Sequence, residues 1–172
     1  TQGRVAGARE NAAASGLADK QVQWMVDDCQ KFVARKIRRG SRYDGIIMDP
    51  PSYGRGPGGE VWKLEDAIYQ LLEQTVQVLG GSPLFFAVNS YTTGLAPGVM
   101  GYMLGQPLTG RLGGRVQSDE IGLPVTAPGG GWPCGPTPLW ANPYPGRCRF
   151  LGGAVVHRGA YHTPRLWLMF PP

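Results

Sequence analysis

Two places in this 172-residue chain set acids where a short apolar run stops. VQWMV, 22–26, leads into Asp27 and Asp28, and YDGIIM, 43–48, leads into Asp49, Pro50, Pro51, Ser52 and Tyr53. The two prolines fix φ, cannot donate a backbone hydrogen bond and hold the residues before them extended, so the carbonyl groups there face outward instead of joining a helix. Asp49 together with such carbonyls would form a rigid cluster of acceptors suited to an exocyclic amine, and Tyr53 offers a face on which a planar base could stack. Asp-Pro-Pro is also a good turn, and Asp28 is equally well placed to cap a helix that starts at Cys29. Architecture and chemistry both remain open at these acids, and capping does not exclude binding.

The surrounding pattern says what would position them. Gly3 to Ala14 is Ala-rich and suits a helix, stopped by Ser15 and Gly16. VQWMV has the length of a strand, and in the following DDCQKFVARKIRRG the residues Phe32, Val33 and Ile37 recur at helical spacing before Gly40. YDGIIM reads as a buried strand, Leu64 to Leu79 as an amphipathic helix ended by Gly80 and Gly81, and PLFFAVN, 83–89, as a third continuous apolar strand. Strands without inside–outside alternation, separated by helices of about a dozen residues, predict an α/β fold. Its parallel sheet would be covered by helices on both faces, with ligands beyond the carboxyl ends of the strands. LAPGVMGYML predicts one more helix, and RVQSDEIGLPV with PTPLW predicts a terminal antiparallel hairpin. The chain divides at residue 140, and 141–172, rich in turn formers and aromatics without a sustained period, reads as an irregular tail.

Composition limits the partners. No run of about 18 apolar residues exists, which argues against a membrane partner. Cys29, Cys134 and Cys148 have no metal-ligand spacing and only His157 and His162 could assist them, so free thiols, a cytoplasmic location and no metal are expected. The formal charge is +5, and residues 76–172 hold six Arg against two acids. This excess suits a polyanionic partner, although a solvated basic surface explains it as well. The cluster Arg35, Lys36, Arg38, Arg39 and Arg42 is favoured at a helix C-terminus by the dipole. GRGPGGE, 54–60, lacks the Gly-Lys-Ser/Thr ending of a phosphate loop, and a lid over a substrate with Arg55 as a phosphate contact fits it better.

ARENAAASGL, VDDCQKF, YDGIIMDPPSYGRGPGGEVWKLED and FFAVNSYTTGL, in that order, resemble the class I S-adenosylmethionine-dependent methyltransferases. Within them the chain is similar to bacterial 23S ribosomal RNA base methyltransferases, over roughly residues 3–140. MDPPSY with Trp62 and Lys63 is the most specific portion. The resemblance implies a Rossmann-like sheet, S-adenosylmethionine as cofactor, and ribosomal RNA as partner. It places Asp28 on the adenine amino group of the cofactor, the Cys29 backbone N–H against the ring, and Asp49, Pro50 and Pro51 between the cofactor methyl and the base. Tyr53 joins Asp49 and Pro50 in catalysis, and Ser52, Arg55, Trp62 and Asn89 join Pro51 on the substrate side. The family's glycine-rich turn and ribose-binding acid precede the matched region, so the first two strands of the sheet are expected to be absent and the chain to be an N-terminally truncated copy. Methylation at carbon 5 of a pyrimidine needs a thiolate, and where related carbon methylases carry it this chain has Asn89 and Ser90. Transfer to an amine or oxygen is therefore expected. The competing reading is a non-catalytic fragment or basic RNA-binding module lacking a complete cofactor site.

Overall fold

The computed structural model describes residues 2–56, 58–92, 94–124, 131–142, 148–151, 154–157 and 166–169. Helix α1, Gln2–Ala14, ends as its sequence predicts. Gly16 takes φ +71°. The N–H of Leu17 bonds the Ala12 carbonyl at 2.8 Å and that of Gly16 bonds Ala13 at 3.0 Å, a paired cap that removes two orphan acceptors. Helix α2, Cys29–Arg38, is closed in the same way, with Gly40 at φ +62° and Ser41 N–H on the Lys36 carbonyl at 3.0 Å.

Strand β1, Gly45–Met48, leads into a hairpin of β2, Tyr53–Arg55, and β3, Val61–Lys63. Helix α3, Leu64–Val76, follows. It stops three residues short of the predicted Leu79 because Val78 and Leu79 are used differently: Tyr43 donates to the Val78 carbonyl at 2.9 Å and pairs with Leu79 in a parallel bridge. Strand β4, Phe85–Val88, precedes helix α4, Pro97–Leu112. The antiparallel hairpin expected near the end is present as β5, Arg115–Pro124, and β6, Gly131–Ala141. Beyond it lie β7, Cys148–Leu151, antiparallel to β8, Ala154–His157, and then β9, Leu166–Met169. The region read from sequence as an irregular tail thus contains three strands among its described residues.

The main sheet has the order β5-β6-β4-β1-β9. Its β4, β1 and β9 are mutually parallel, and the β5–β6 hairpin adds two antiparallel pairings at one side. This is the α/β, Rossmann-like class expected, with the hairpin where the sequence placed it. Two details differ. Residues 22–26 form no strand, and Val22, Met25 and Val26 stay 41–53% exposed. An apolar run becomes a strand only when a sheet edge accepts it, and both edges of β1 are taken, by β4 and β9. Burial is also one-sided. Ile46, Met48, Phe86, Val88 and Trp140 are sealed into one core with Ile68 and Leu72 of α3 and Leu104 of α4, while the alternating Ile47, Ala87 and Leu139 are only half-buried. Helices therefore seal one face of these strands, where the continuous apolar runs had predicted two.

Close approach of α4 to the sheet depends on a glycine. A Cβ at Gly101 would sit 2.8 Å from Ser118 Cβ of β5, so any side chain there would push the layers apart.

Candidate functional site

Asp49 is the first residue past β1 and is half-buried. Asn89 is the first residue past the parallel neighbour β4, and the pairing of Met48 with Val88 sets the two side by side. The Asn89 N–H bonds the Met48 carbonyl at 2.8 Å, and its side-chain amide donates from Nδ2 to Asp49 Oδ1 at 3.1 Å. The other end of that amide, Oδ1, accepts the hydroxyl of Thr137 of β6 at 2.8 Å. The Asp49 carboxylate, which can only accept, fixes which way the amide points, and the Thr137 hydroxyl supports that orientation. Asp49 Oδ2 and the carbonyl of the buried Pro50 meet no donor among the described residues. That leaves two acceptors at the strand end, one of them a carboxylate oxygen held in place through its twin.

The other carbonyls of this turn are not free. Trp62 donates its indole N–H to the Pro51 carbonyl at 2.8 Å, and Leu64 N–H bonds the Ser52 carbonyl at 3.0 Å. The outward acceptors expected from the two prolines narrow to Pro50 and Asp49, and Trp62 becomes the brace that ties the hairpin to the turn. Tyr53 is 52% exposed, and Arg55 donates from Nε to its hydroxyl at 3.1 Å. Of residues 54–60, the described 54–56 and 58–60 lie at the end of the β2–β3 hairpin, where Gly56 N–H bonds the Glu60 carbonyl at 2.8 Å.

A second set of hydroxyls joins the loops after β1 and β4. Thr92 Oγ1 donates to Ser52 Oγ at 2.8 Å, and Thr92 N–H bonds the Oγ of the buried Ser90 at 3.1 Å. Gly135 of β6 makes this approach possible: at φ +106° it lies where a Cβ would land on the Ser90 carbonyl. Sequence reading missed Thr137, Ser90 and Thr92. The signal that could have found Thr137 is register, because Ala87 pairs with Leu139 and the antiparallel count then carries Thr137 to Asn89.

Asp28 lies elsewhere. It does not close a strand beside β1; it is the N-cap of α2, exposed, with Oδ1 accepting Lys31 N–H at 2.9 Å. The expectation that adjacent strands deliver Asp28 and Asp49 to one edge is corrected, because the neighbours of β1 are β4 and β9. Asp27 is ion-paired with Arg35 and accepts the Asp28 N–H at 2.9 Å. Asp28 Oδ2 and the Cys29 N–H, an orphan donor of the first helical turn, have no partner among the described residues. An acceptor beside a donor is the complement of a planar heterocycle edge carrying an amino group and a ring nitrogen.

The Cys29 thiol is pushed up to about 11 by burial first, then by the Asp28 and Asp27 carboxylates. It is a neutral thiol at physiological pH and no nucleophile. At pH 8, Cys29 carries roughly a hundredfold less thiolate than an ordinary cysteine, a factor of ten per pH unit. Iodoacetamide labelling followed by peptide mass spectrometry should find it modified correspondingly slowly, and labelling as fast as a free thiol would contradict the burial. Among the described residues no group of acids, cysteines and histidines has the geometry of a metal site, and no helix is long and apolar enough to cross a membrane. His162 lies outside the described residues.

No protein-family model matches the chain, and a search of curated proteins finds no match. Solved structures do match. The crystal structure of the SAM-dependent methyltransferase from Agrobacterium tumefaciens superposes with TM-score 0.73 and 30% identity, covering 82% of this chain and 46% of that one. SMU.776 complexed with SAH gives TM-score 0.53 at 17% identity, covering 77% of this chain and 35% of that one, a likeness of fold. The chain thus spans about half the length of the first of these structures or less, and its fold is that of the corresponding part of a methyltransferase of Rossmann-like architecture.

Proposed function

We propose that the chain carries the acceptor side of an S-adenosylmethionine-dependent methyltransferase, directed at an amine or oxygen of an RNA base, with ribosomal RNA as the substrate class. The observation that carries this reading is the strand-end pair of unused acceptors, Asp49 Oδ2 and the Pro50 carbonyl, with Asp49 Oδ1 already held by Asn89. The likeness to the SAM-dependent methyltransferase from Agrobacterium tumefaciens supports it.

An exocyclic amine has two N–H donors. Bonding one to Asp49 Oδ2 and the other to the Pro50 carbonyl turns the nitrogen lone pair away from the protein and toward a methyl donor, an orientation effect that needs no thiolate. Tyr53 supplies the exposed ring against which the base stacks, and Pro51, Ser52 and Trp62 shape the turn beneath it. Arg55 would meet a phosphate. On the cofactor side, Asp28 Oδ2 would accept from the adenine amino group and the Cys29 N–H would face the ring. When bound, the cofactor supplies an electrophilic methyl group on sulfur.

A second reading has an observation of its own. Asp28 is engaged in capping through Oδ1 and is not beside Asp49 in the sheet, as expected if the chain is a basic RNA-binding module without a working cofactor site. Titration calorimetry with S-adenosylhomocysteine separates the two. Saturable binding, together with transfer of a tritiated methyl group to ribosomal RNA by the chain within its full-length protein, supports the enzyme. A folded full-length protein that takes up no S-adenosylhomocysteine removes it.

A further inference from the structure

Between α2 and α3 lies an open groove of about 570 Å³ that does not include Asp49, Asn89 or Tyr53. Lys31, Arg35 and Arg38 line it from α2, Gln74 and Gln77 from α3, and Ala34 and Ile37 give it an apolar floor. The three cations recur at i, i+4 and i+7, so they lie on one side of the helix over about 10 Å of its length. CQKFVARKIR, the whole of α2, contains no acid.

Helix stability does not account for this row. Cations in the last turn complement the dipole, but Lys31 is in the first turn, where a cation opposes it. Arg35 is paired with Asp27, whereas the side chains of Lys31 and Arg38 have no partner among the described residues. Glu73, the acid of α3 next to Gln74 in sequence, lies on the Tyr69 side, where its proximity raises the pKa of the Tyr69 hydroxyl. Gln74 is the least expected member. Its Oε1 is buried without a donor, and its amide forms no hydrogen bond at either end among the described residues. An amide left unused beside a row of cations lacks a polar ligand.

We infer that this groove is a docking surface for the sugar-phosphate backbone of RNA, with Lys31 and Arg38 on phosphates and the Gln74 side-chain amide donating to a ribose 2′-hydroxyl. The apolar floor of Ala34 and Ile37 suits the carbon face of a ribose, and charge complementarity selects a polyanion. The 2′-hydroxyl is the group that distinguishes RNA from DNA. The inference rests on the RNA-directed reading above and adds to it a docking surface remote from the acceptor turn.

The test uses the full chain, fluorescein-labelled oligouridylate, and the matching oligodeoxyuridylate, followed by anisotropy across a salt series. RNA should bind more tightly than DNA. Lys31→Glu with Arg38→Glu should weaken RNA binding at least about tenfold and make the slope of log affinity against log salt shallower by about 1.4, from ~0.7 for each phosphate no longer neutralised. Gln74→Leu should reduce RNA affinity about fivefold, the size of one hydrogen bond, and leave DNA binding unchanged. Circular dichroism confirms folding, and the milder pair Lys31→Ala with Arg38→Ala replaces the charge reversal if that variant fails to fold. RNA affinity that ignores the cation substitutions, or equal affinity for the two polymers, overturns the groove. Calorimetry with S-adenosylhomocysteine on the same variants keeps the two proposals apart: cofactor binding with an inert groove sinks only the groove, and a groove that binds RNA in a full-length protein without cofactor binding sinks only the enzyme.

Discussion

Asp49→Ala should abolish most methyl transfer, by at least about a hundredfold, while leaving the affinity for S-adenosylhomocysteine within about threefold. The expectation follows from where the carboxylate sits. One of its oxygens is held by Asn89 and the other, on a half-buried residue just past β1, meets no donor among the described residues, so its removal takes away an acceptor for the substrate and leaves the core untouched. Asp49→Asn is the sharper probe. In the wild type the acceptor-only carboxylate sets the Asn89 amide with Nδ2 toward residue 49 and Oδ1 on the Thr137 hydroxyl. With that orientation kept, the new amide presents its NH₂ where the substrate amine needs an acceptor, and in either orientation the carboxylate charge is lost. Shape is retained and the charged acceptor removed, so single-turnover transfer should fall nearly as far as in Asp49→Ala. Wild-type turnover by Asp49→Asn would mean that the substrate does not bond there.

The largest loss of stability is expected from Trp140→Ala. Trp140 in β6 is fully buried, pairs with Phe86 and Val116, and donates its indole N–H to the Gly113 carbonyl at 2.9 Å. Truncation removes a large apolar surface, leaves a cavity between the hairpin and α4, and orphans that carbonyl. Costs of about 3–5 kcal/mol are typical of such changes, against a total stability of about 5–15 kcal/mol for an ordinary domain. Urea unfolding followed by circular dichroism should register it. Trp140→Phe keeps most of the volume and forfeits the hydrogen bond, so a cost of only about 1 kcal/mol is expected. Equal losses for both substitutions would mean that the indole N–H, and not packing, dominates.

Local signals made much of this architecture readable. The stripe from Leu64 through Ile68, Leu71 and Leu72 announced α3, the glycines at 16 and 40 marked helix ends, and the runs around Ile46 and Phe86 marked strands. What escaped depended on partners far away in sequence. VQWMV and LWLM are both short apolar runs, yet only the second is a strand, since the choice belongs to the edge that accepts it. The site divides in the same way. Asp49 was visible because prolines follow a strand end, and Asn89 through the family resemblance of the segment after the next strand. Thr137 was not, since its role requires the register of β6 against β4. Asp28 shows the converse error: an acid after an apolar run looked like a strand terminus and is a helix cap.

The parallel pairing of β1 with β9 bears on how the protein is made. Gly45 meets Leu166, so a strand completed early in synthesis waits for more than a hundred residues before one of its flanks is covered. Pairings of such wide separation form slowly, and unpaired apolar strands recruit other nascent chains meanwhile. Yield on refolding should therefore fall with protein concentration and improve with a holding chaperone, even where the finished molecule is stable.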